Sequence, residues 1–367
     1  MTRSELKYIL FKVLERKLNN KYLVIESDDW GSFRIPSNQT YSKLEELGIQ
    51  LNFPGADYYN QFDTLESRVD LESLFEILDS KKDTYGSSAI FTPLTLCANP
   101  DFTKIRNSNY SQFLYLNLKE SLEYYQRSGA YEMYLKGIDN KLFIPQFHGR
   151  EHLNVPVWMR ALKNDIGDAR VAFEHEVWGH INSHPNNIFY QAAFDVEIFS
   201  DIEEHIHIID DGLKLFQHTF GYKAEYFVPP NGPMNNLLCE VLSKNGVKLI
   251  ASDIVQSEPL GNGKFKRHFR FMGMKNNFGQ KFIKRNCFFE PSAEGKDWVD
   301  SCLNDIQLAF KYNKPAIVSS HRVNYIGGLS IKNRDRGLKQ LNLLLGQVLK
   351  NWPDVKFITT SELFDLI

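Results

Sequence analysis

Short apolar runs that each close on a polar cluster, separated by longer stretches of helical periodicity, recur along the chain. This rhythm constrains the fold more than any other feature. Residues 21–25 read as a buried strand ending at Glu26-Ser27-Asp28-Asp29, and residues 64–82 as an amphipathic helix. A strand over 88–92 follows, then a helix over 110–127 stopped by Gly129. Residues 142–147 run into His148, 194–199 suggest a short strand, and 202–220 a helix closed by Gly221. Residues 225–228 lead into the turn Pro229-Pro230-Asn231-Gly232, and 247–251 end at Ser252-Asp253. Two alternating segments, 265–272 and 281–289, predict an antiparallel hairpin with each other. The chain finishes with a helix over 298–310, a strand over 316–318 ending at Ser319-Ser320-His321, a helix over 337–349 and a strand over 355–358.

Strands alternating with helices predict a parallel sheet or barrel, and six to eight such units suit a (β/α) barrel better than two domains. In that architecture the loops leaving the strands' C-terminal ends carry the chemistry. Here Asp28-Asp29, His148, Pro229-Pro230-Asn231, Asp253 and His321 all follow strands. A single domain over 1–367 is therefore expected, with an N-terminal helix over 1–19 and a longer, insertion-bearing segment over 153–225.

Composition narrows the classes. With 27 Phe and 17 Tyr in 367 residues there is ample apolar area for a large core, which excludes a disordered chain. The 43 basic residues balance 45 acidic ones, so no chain-wide basic field invites nucleic acid. No apolar run approaches the ~20 residues that cross a bilayer, and Tyr8-Ile9-Leu10-Phe11 is interrupted by Lys12, Glu15, Arg16 and Lys17 rather than extended into a signal sequence. No membrane partner is expected, and the location expected is the cytoplasm. Cys97, Cys239, Cys287 and Cys302 are widely spaced, without C-x-x-C, so any metal must be held by His and carboxylate. Oligomeric state leaves no mark on the sequence.

Adjacent carboxylates on a strand point to opposite sides, so Asp28 and Asp29 can serve as base and metal ligand, or simply as a turn pair. His148-Gly149-Arg150-Glu151-His152 is H-x-x-x-H; on one helical turn both rings would share a face and reach one ion, with a carboxylate completing three ligands. His321 is either a core histidine or a general acid. Trp30 suits sugar stacking or core packing. His175, His180 and His184 form a second concentration without a ligand spacing, placed at a site rim or in polar packing, and His205 and His207 read as a solvated helix face.

The ordered set then resembles a known family. Val24-Ile25-Glu26-Ser27-Asp28-Asp29-Trp30-Gly31 is similar to the T-F-D-D-G motif of polysaccharide deacetylases (the NodB-homology carbohydrate esterases). Residues 148–152 are similar to H-[S/T]-x-x-H, Phe227-Val228-Pro229-Pro230-Asn231-Gly232 to F-R-P-P-Y-G, and 317–321 to the final strand ending in His. The resemblance runs over residues 20–325 and implies a distorted (β/α) barrel of about seven strands that removes an acyl group from a saccharide. It assigns Asp29, His148 and His152 to a divalent metal, Zn²⁺ being the expected ion, and Asp28 to the general base. The Asn231 backbone N–H would face the oxyanion and His321 would be the general acid. A bound Zn²⁺ lowers its water's pKa to about 7. Three departures stand out: Val228 replaces the Arg that orients the base, Asn231 replaces an aromatic, and Gly149 replaces Ser or Thr. Arg150 and Arg322 are candidates for the missing guanidinium, and Asp253 for a fourth motif. Two other functions fit the residues: a glycoside hydrolase pairing Asp28 or Asp29 with Asp253 or Glu290, and a catalytically weakened sugar-binding protein.

Overall fold

The computed structural model describes residues 15–53, 56–182, 184 and 186–367. The helix expected over 1–19 lies, apart from 15–19, outside the described residues, and 15–19 themselves form no helix. The strands used below are β1 (Tyr22–Trp30), β2 (Phe91–Leu96), β3 (Gln146–Gly149), β4 (Tyr226–Phe227), β5 (Leu249–Ala251), β6 (Val255–Gly261), β7 (Lys264–Phe269), β8 (Lys281–Ile283), β9 (Cys287–Phe288), β10 (Ala316–His321) and β11 (Lys356–Phe357); a further short antiparallel pair joins Ala98–Pro100 to Tyr115–Asn117. The helices that matter below are α1 (Arg68–Ser80), α2 (Val155–Asn164), α3 (Asp201–Phe220), α4 (Trp298–Lys311) and α5 (Ile331–Asn351).

One sheet runs in the order β8-β5-β4-β3-β2-β1-β10-β9, with β11 added to β1, and every pair in it is parallel. Its two edge strands, β8 and β9, are successive in the chain and joined by residues 284–286 alone. Four residue steps span at most ~14 Å, so the sheet must curl until its edges nearly meet. The fold is a distorted (β/α) barrel with a seam between β8 and β9. The expected seven or so strands become eight around the curl, because the 281–288 stretch supplies two.

Alternation along the strands separates two layers. Leu23 and Ile25 of β1, with Ala316 and Val318 of β10, face the helices in the main core. Val24 and Ile317 turn inward to meet Leu94, Tyr226, Leu249 and Ile283 inside the barrel. The four cysteines are buried and unpaired. No helix among the described residues is long and apolar enough to cross a membrane.

Three expected elements differ. Residues 194–199 form no strand: the backbone N–H groups of Glu197 and Ile198 donate to the Asp201 carboxylate at the start of α3, and Phe194 packs on Phe227. Helix does not begin at 110 but at Leu118, where Asn117 and Glu120 form a capping box, and Gly129, at φ 77, starts the next helix rather than ending this one. The 265–272 run pairs not with 281–289 but with β6, through the left-handed turn Gly261-Asn262-Gly263.

Candidate metal centre

β1 and β10 run in parallel register, Glu26 beside Ser319 and Asp28 beside His321. Inward alternation carries the column Val24, Glu26, Asp28 to the barrel mouth. There the register against β2 shifts between Ser27 and Trp30, and Asp29 takes φ 75, a left-handed conformation costly for a residue with a Cβ. This break corrects the expectation that the two carboxylates point apart: Asp28 and Asp29 both line the same cleft. Trp30 turns the other way into the core, edge-on to Phe143, with its indole N–H on Ser27 Oγ.

The two histidines meet by a different route from the one their spacing predicts. His148 is the last residue but one of β3 and His152 lies in the loop before α2, so no helical turn joins them. Gly149 between them has φ 140, and a Cβ there would stand 3.0 Å from the Glu151 carbonyl oxygen. That explains why glycine replaces the larger residue at this position. The ring nitrogens Nε2 of His148 and His152 lie 3.4 and 3.1 Å from Asp29 Oδ1. One ligand atom from each of the three residues falls within 4.8 Å of the others.

The donor set suits a divalent ion. His148 Nδ1 donates to the Val228 carbonyl at 2.7 Å, which leaves Nε2 as the lone-pair nitrogen. Burial pushes the His152 ring down to about 4, so it is a neutral ligand. Burial would raise Asp29, but Arg34 and the two rings outweigh it and hold the carboxyl well below the usual range. Arg34 Nη2 donates to Asp29 Oδ2 at 2.9 Å, leaving Oδ1 for the ion.

The guanidinium missing from position 228 comes from the seam. Arg285, between β8 and β9, grips Asp28 with Nη1 and Nη2 at 2.6 Å each and donates through Nε to Glu26. Burial would raise Asp28, but Arg285 prevails and lowers it. Arg150 and Arg322 do not fill this place: Arg150 binds Glu151 and Asp211, and Arg322 is buried on Asp63 and Glu66. No motif marks Arg285; the only signal is a basic residue in the short link between two strand-like runs.

On the opposite side, His321 Nδ1 meets Glu290 Oε1 at 2.6 Å, and Asn324 donates to the other Glu290 oxygen at 2.7 Å. Burial alone would favour the neutral ring, yet the Glu290 carboxylate raises His321 to about 9. His321 Nε2 lies 3.9 Å from Asp28 Oδ2. Tyr59, which sequence reasoning did not single out, places its hydroxyl 3.1 Å from His321 Nδ1.

A cleft of about 500 Å³ gathers Asp28, Asp29, His148, His152, Asn231 and His321. Asn231 stands at its exposed rim with φ 55, and Asp253 is also exposed on its lining. The second histidine group stays outside the lining: His180 is buried against Tyr190 and His184 pairs with Glu197. His205 corrects the solvated-face expectation, being fully buried edge-on to Phe194, whereas His207 is exposed.

No family model matches the chain, and no curated protein matches it. Among solved structures, the 4-alpha-glucanotransferase of Thermococcus litoralis aligns at 9% identity and TM-score 0.46, over 96% of this chain and 41% of its own. A family 4 acetyl xylan esterase from Clostridium thermocellum, solved with a cobalt ion, aligns at 11% and 0.38, over 94% and 91%. A CE4 family pseudoenzyme from Bacillus anthracis aligns at 10% and 0.37, over 95% and 66%. Likenesses this distant, spanning transferase, esterase and pseudoenzyme, assign no function.

Proposed function

We propose that the chain is a metal-dependent hydrolase that removes an N- or O-linked acyl group, acetyl above all, from a saccharide, on a single barrel domain. One observation carries the reading. Beside three convergent ligand atoms, a single cleft holds a carboxyl kept ionised by an arginine and an imidazole kept protonated by a carboxylate. Titratable neighbours whose environments push them apart are how acid and base roles are divided at one pH.

Asp29, His148 and His152 hold the ion, with Zn²⁺ the first candidate. When bound, it supplies Lewis acidity toward the acyl carbonyl and toward a water molecule. Asp28 accepts the proton of the attacking water; Arg285 lowers its pKa, which makes it a weaker base and keeps it in the accepting form at neutral pH. His321 Nε2, on the ring whose Nδ1 is fixed by Glu290, delivers a proton to the leaving amine or alcohol. The Asn231 backbone N–H, at the rim, faces the developing oxyanion.

Two features weigh against the other functions. Asp28 is gripped by Arg285 and both Glu290 oxygens are engaged, one by His321 and one by Asn324, so neither carboxyl is free to flank a glycosidic bond. Arg285 also answers one of the two departures that suggested a weakened site, Val228, while Asn231 keeps its place at the rim.

The test is elemental analysis of the purified protein together with acetate release from acetylated xylan and chitin oligosaccharides. About one divalent ion per chain and acetate release, both lost in Asp29→Ala and His148→Ala, are expected. A chain without stoichiometric metal, or full activity in either variant, sinks the proposal.

A further inference from the structure

The balanced total charge conceals one segment without balance. Between Glu258 and Glu290 there are eight Lys or Arg residues and no Asp or Glu. Part of this run is the β6–β7 hairpin, whose register pairs Val255 with Phe269, Ser257 with Arg267 and Pro259 with Phe265. Opposed residues of an antiparallel pair share a face, so Phe265, Arg267 and Phe269 lie together with Val255 and Ser257. Phe269 is 73% exposed and Phe265 50%, and Lys264, Lys266 and Arg267 are exposed too.

This exposure does not come from a loose hairpin. The opposite face is tied down: Glu258 accepts from the Asn236 backbone N–H at 2.9 Å and lies 2.6 Å from His268 Nε2. At the tip, the Asn262 N–H donates to the Glu197 carbonyl at 2.7 Å. A lone two-stranded hairpin is marginal in water; this one is braced, and it still presents bare aromatic rings.

The face also runs into the cleft. Val255 and Ser257 belong both to it and to the cleft lining, which Phe288, 50% exposed, joins from β9. We propose that the β6–β7 hairpin is an extended subsite for an acidic saccharide chain, Phe265 and Phe269 stacking on sugar rings while Arg267 between them meets a carboxylate of the polymer and Lys264 and Lys266, on the hairpin's other face, add to the local positive field. On this face the order Phe265, Arg267, Phe269 matches a polymer that offers rings with a charge between them. This inference rests on reading the cleft as the acyl-hydrolase site, since the hairpin extends that site's wall.

The probe is polygalacturonate, with uncharged dextran, oligothymidylate and phosphatidylcholine–phosphatidylglycerol vesicles alongside. Migration through native gels containing each polymer, and sedimentation with the vesicles, report binding for the full chain. The expected result is retardation by polygalacturonate at low salt, weakened about tenfold in Lys264→Glu/Arg267→Glu and severalfold in Phe265→Ala/Phe269→Ala, and abolished by high salt. Dextran should have no effect. Unchanged binding in both variants overturns the proposal. So does loss in the charge variant without loss in the aromatic one, which is adsorption by charge alone. Tighter binding of oligothymidylate or vesicles overturns it in favour of those partners. Asp29→Ala should bind polygalacturonate like the parent chain, so failure of the metal centre and failure of the subsite are read separately.

Discussion

Asp28 and His321 are register partners on adjacent parallel strands, with His321 Nε2 3.9 Å from Asp28 Oδ2, yet each is bonded to a different counter-charge. Arg285 takes Asp28 and Glu290 takes His321. Two opposite charges so close would otherwise pair with one another, and the outer partners keep both turned to the cleft.

Removing Arg285 tests the first half of this arrangement. Arg285→Ala leaves Glu26 and Asp28 buried without their cation, so a loss of ~3–5 kcal/mol in stability is expected, read as a lower urea midpoint. Acetate release should fall further than in Arg285→Lys, while metal content stays at the parent level.

The second half predicts a pH dependence. His321 is raised from 6.5 to about 9, so the protonated ring and its bond to Glu290 are fully present below 6.5 and lost as pH rises through about 9. Asp28 is lowered, so its contribution holds above 3.8 and fails only as the solution becomes more acid than that. Turnover should therefore fall on the alkaline side near pH 9. Glu290→Gln should move that limb to lower pH; a limb that stays in place contradicts the pairing.

Metal removal should be visible without any substrate. Adding Zn²⁺ at a hundredfold excess over its dissociation constant stabilises the native state by ~2.7 kcal/mol. The thermal midpoint of the chelated protein should rise accordingly on adding the ion, and His152→Ala should show little or no rise.

Gly149→Ser restores the residue usual in deacetylase-like motifs and should nevertheless harm this chain. With φ 140 and the Glu151 carbonyl 3.0 Å from the new Cβ, the backbone between the two histidines must shift. A cost of ~1–3 kcal/mol is expected for forcing such a conformation, with weaker Zn²⁺ binding by calorimetry.

The barrel was legible because its strands are buried on both faces and stop at polar residues; residues 21–25 and 316–318 display this directly. Asp29, His148 and His152 were legible as ligand types, but their geometry was not. The kink at Asp29 and the reversal at Gly149 are backbone events with no periodic signature. Arg285 escaped notice, and Glu290 was read only as a glycosidase carboxylate, because their importance lies in what sits opposite them, 257 and 31 residues away. The hairpin was misassigned although Asn262-Gly263 announces it, since alternation alone does not say which neighbouring run is the partner.

The seam has a consequence in time. Asp28 leaves the ribosome long before the arginine that neutralises it, which lies 257 positions further along the chain. At ~5–20 residues per second, roughly 15–50 s pass before Arg285 exists, and more before His321 does. During that interval Glu26 and Asp28 are without the cation that neutralises them. The first strand of the barrel therefore waits for the last ones, and its buried carboxylates are balanced only when the seam closes.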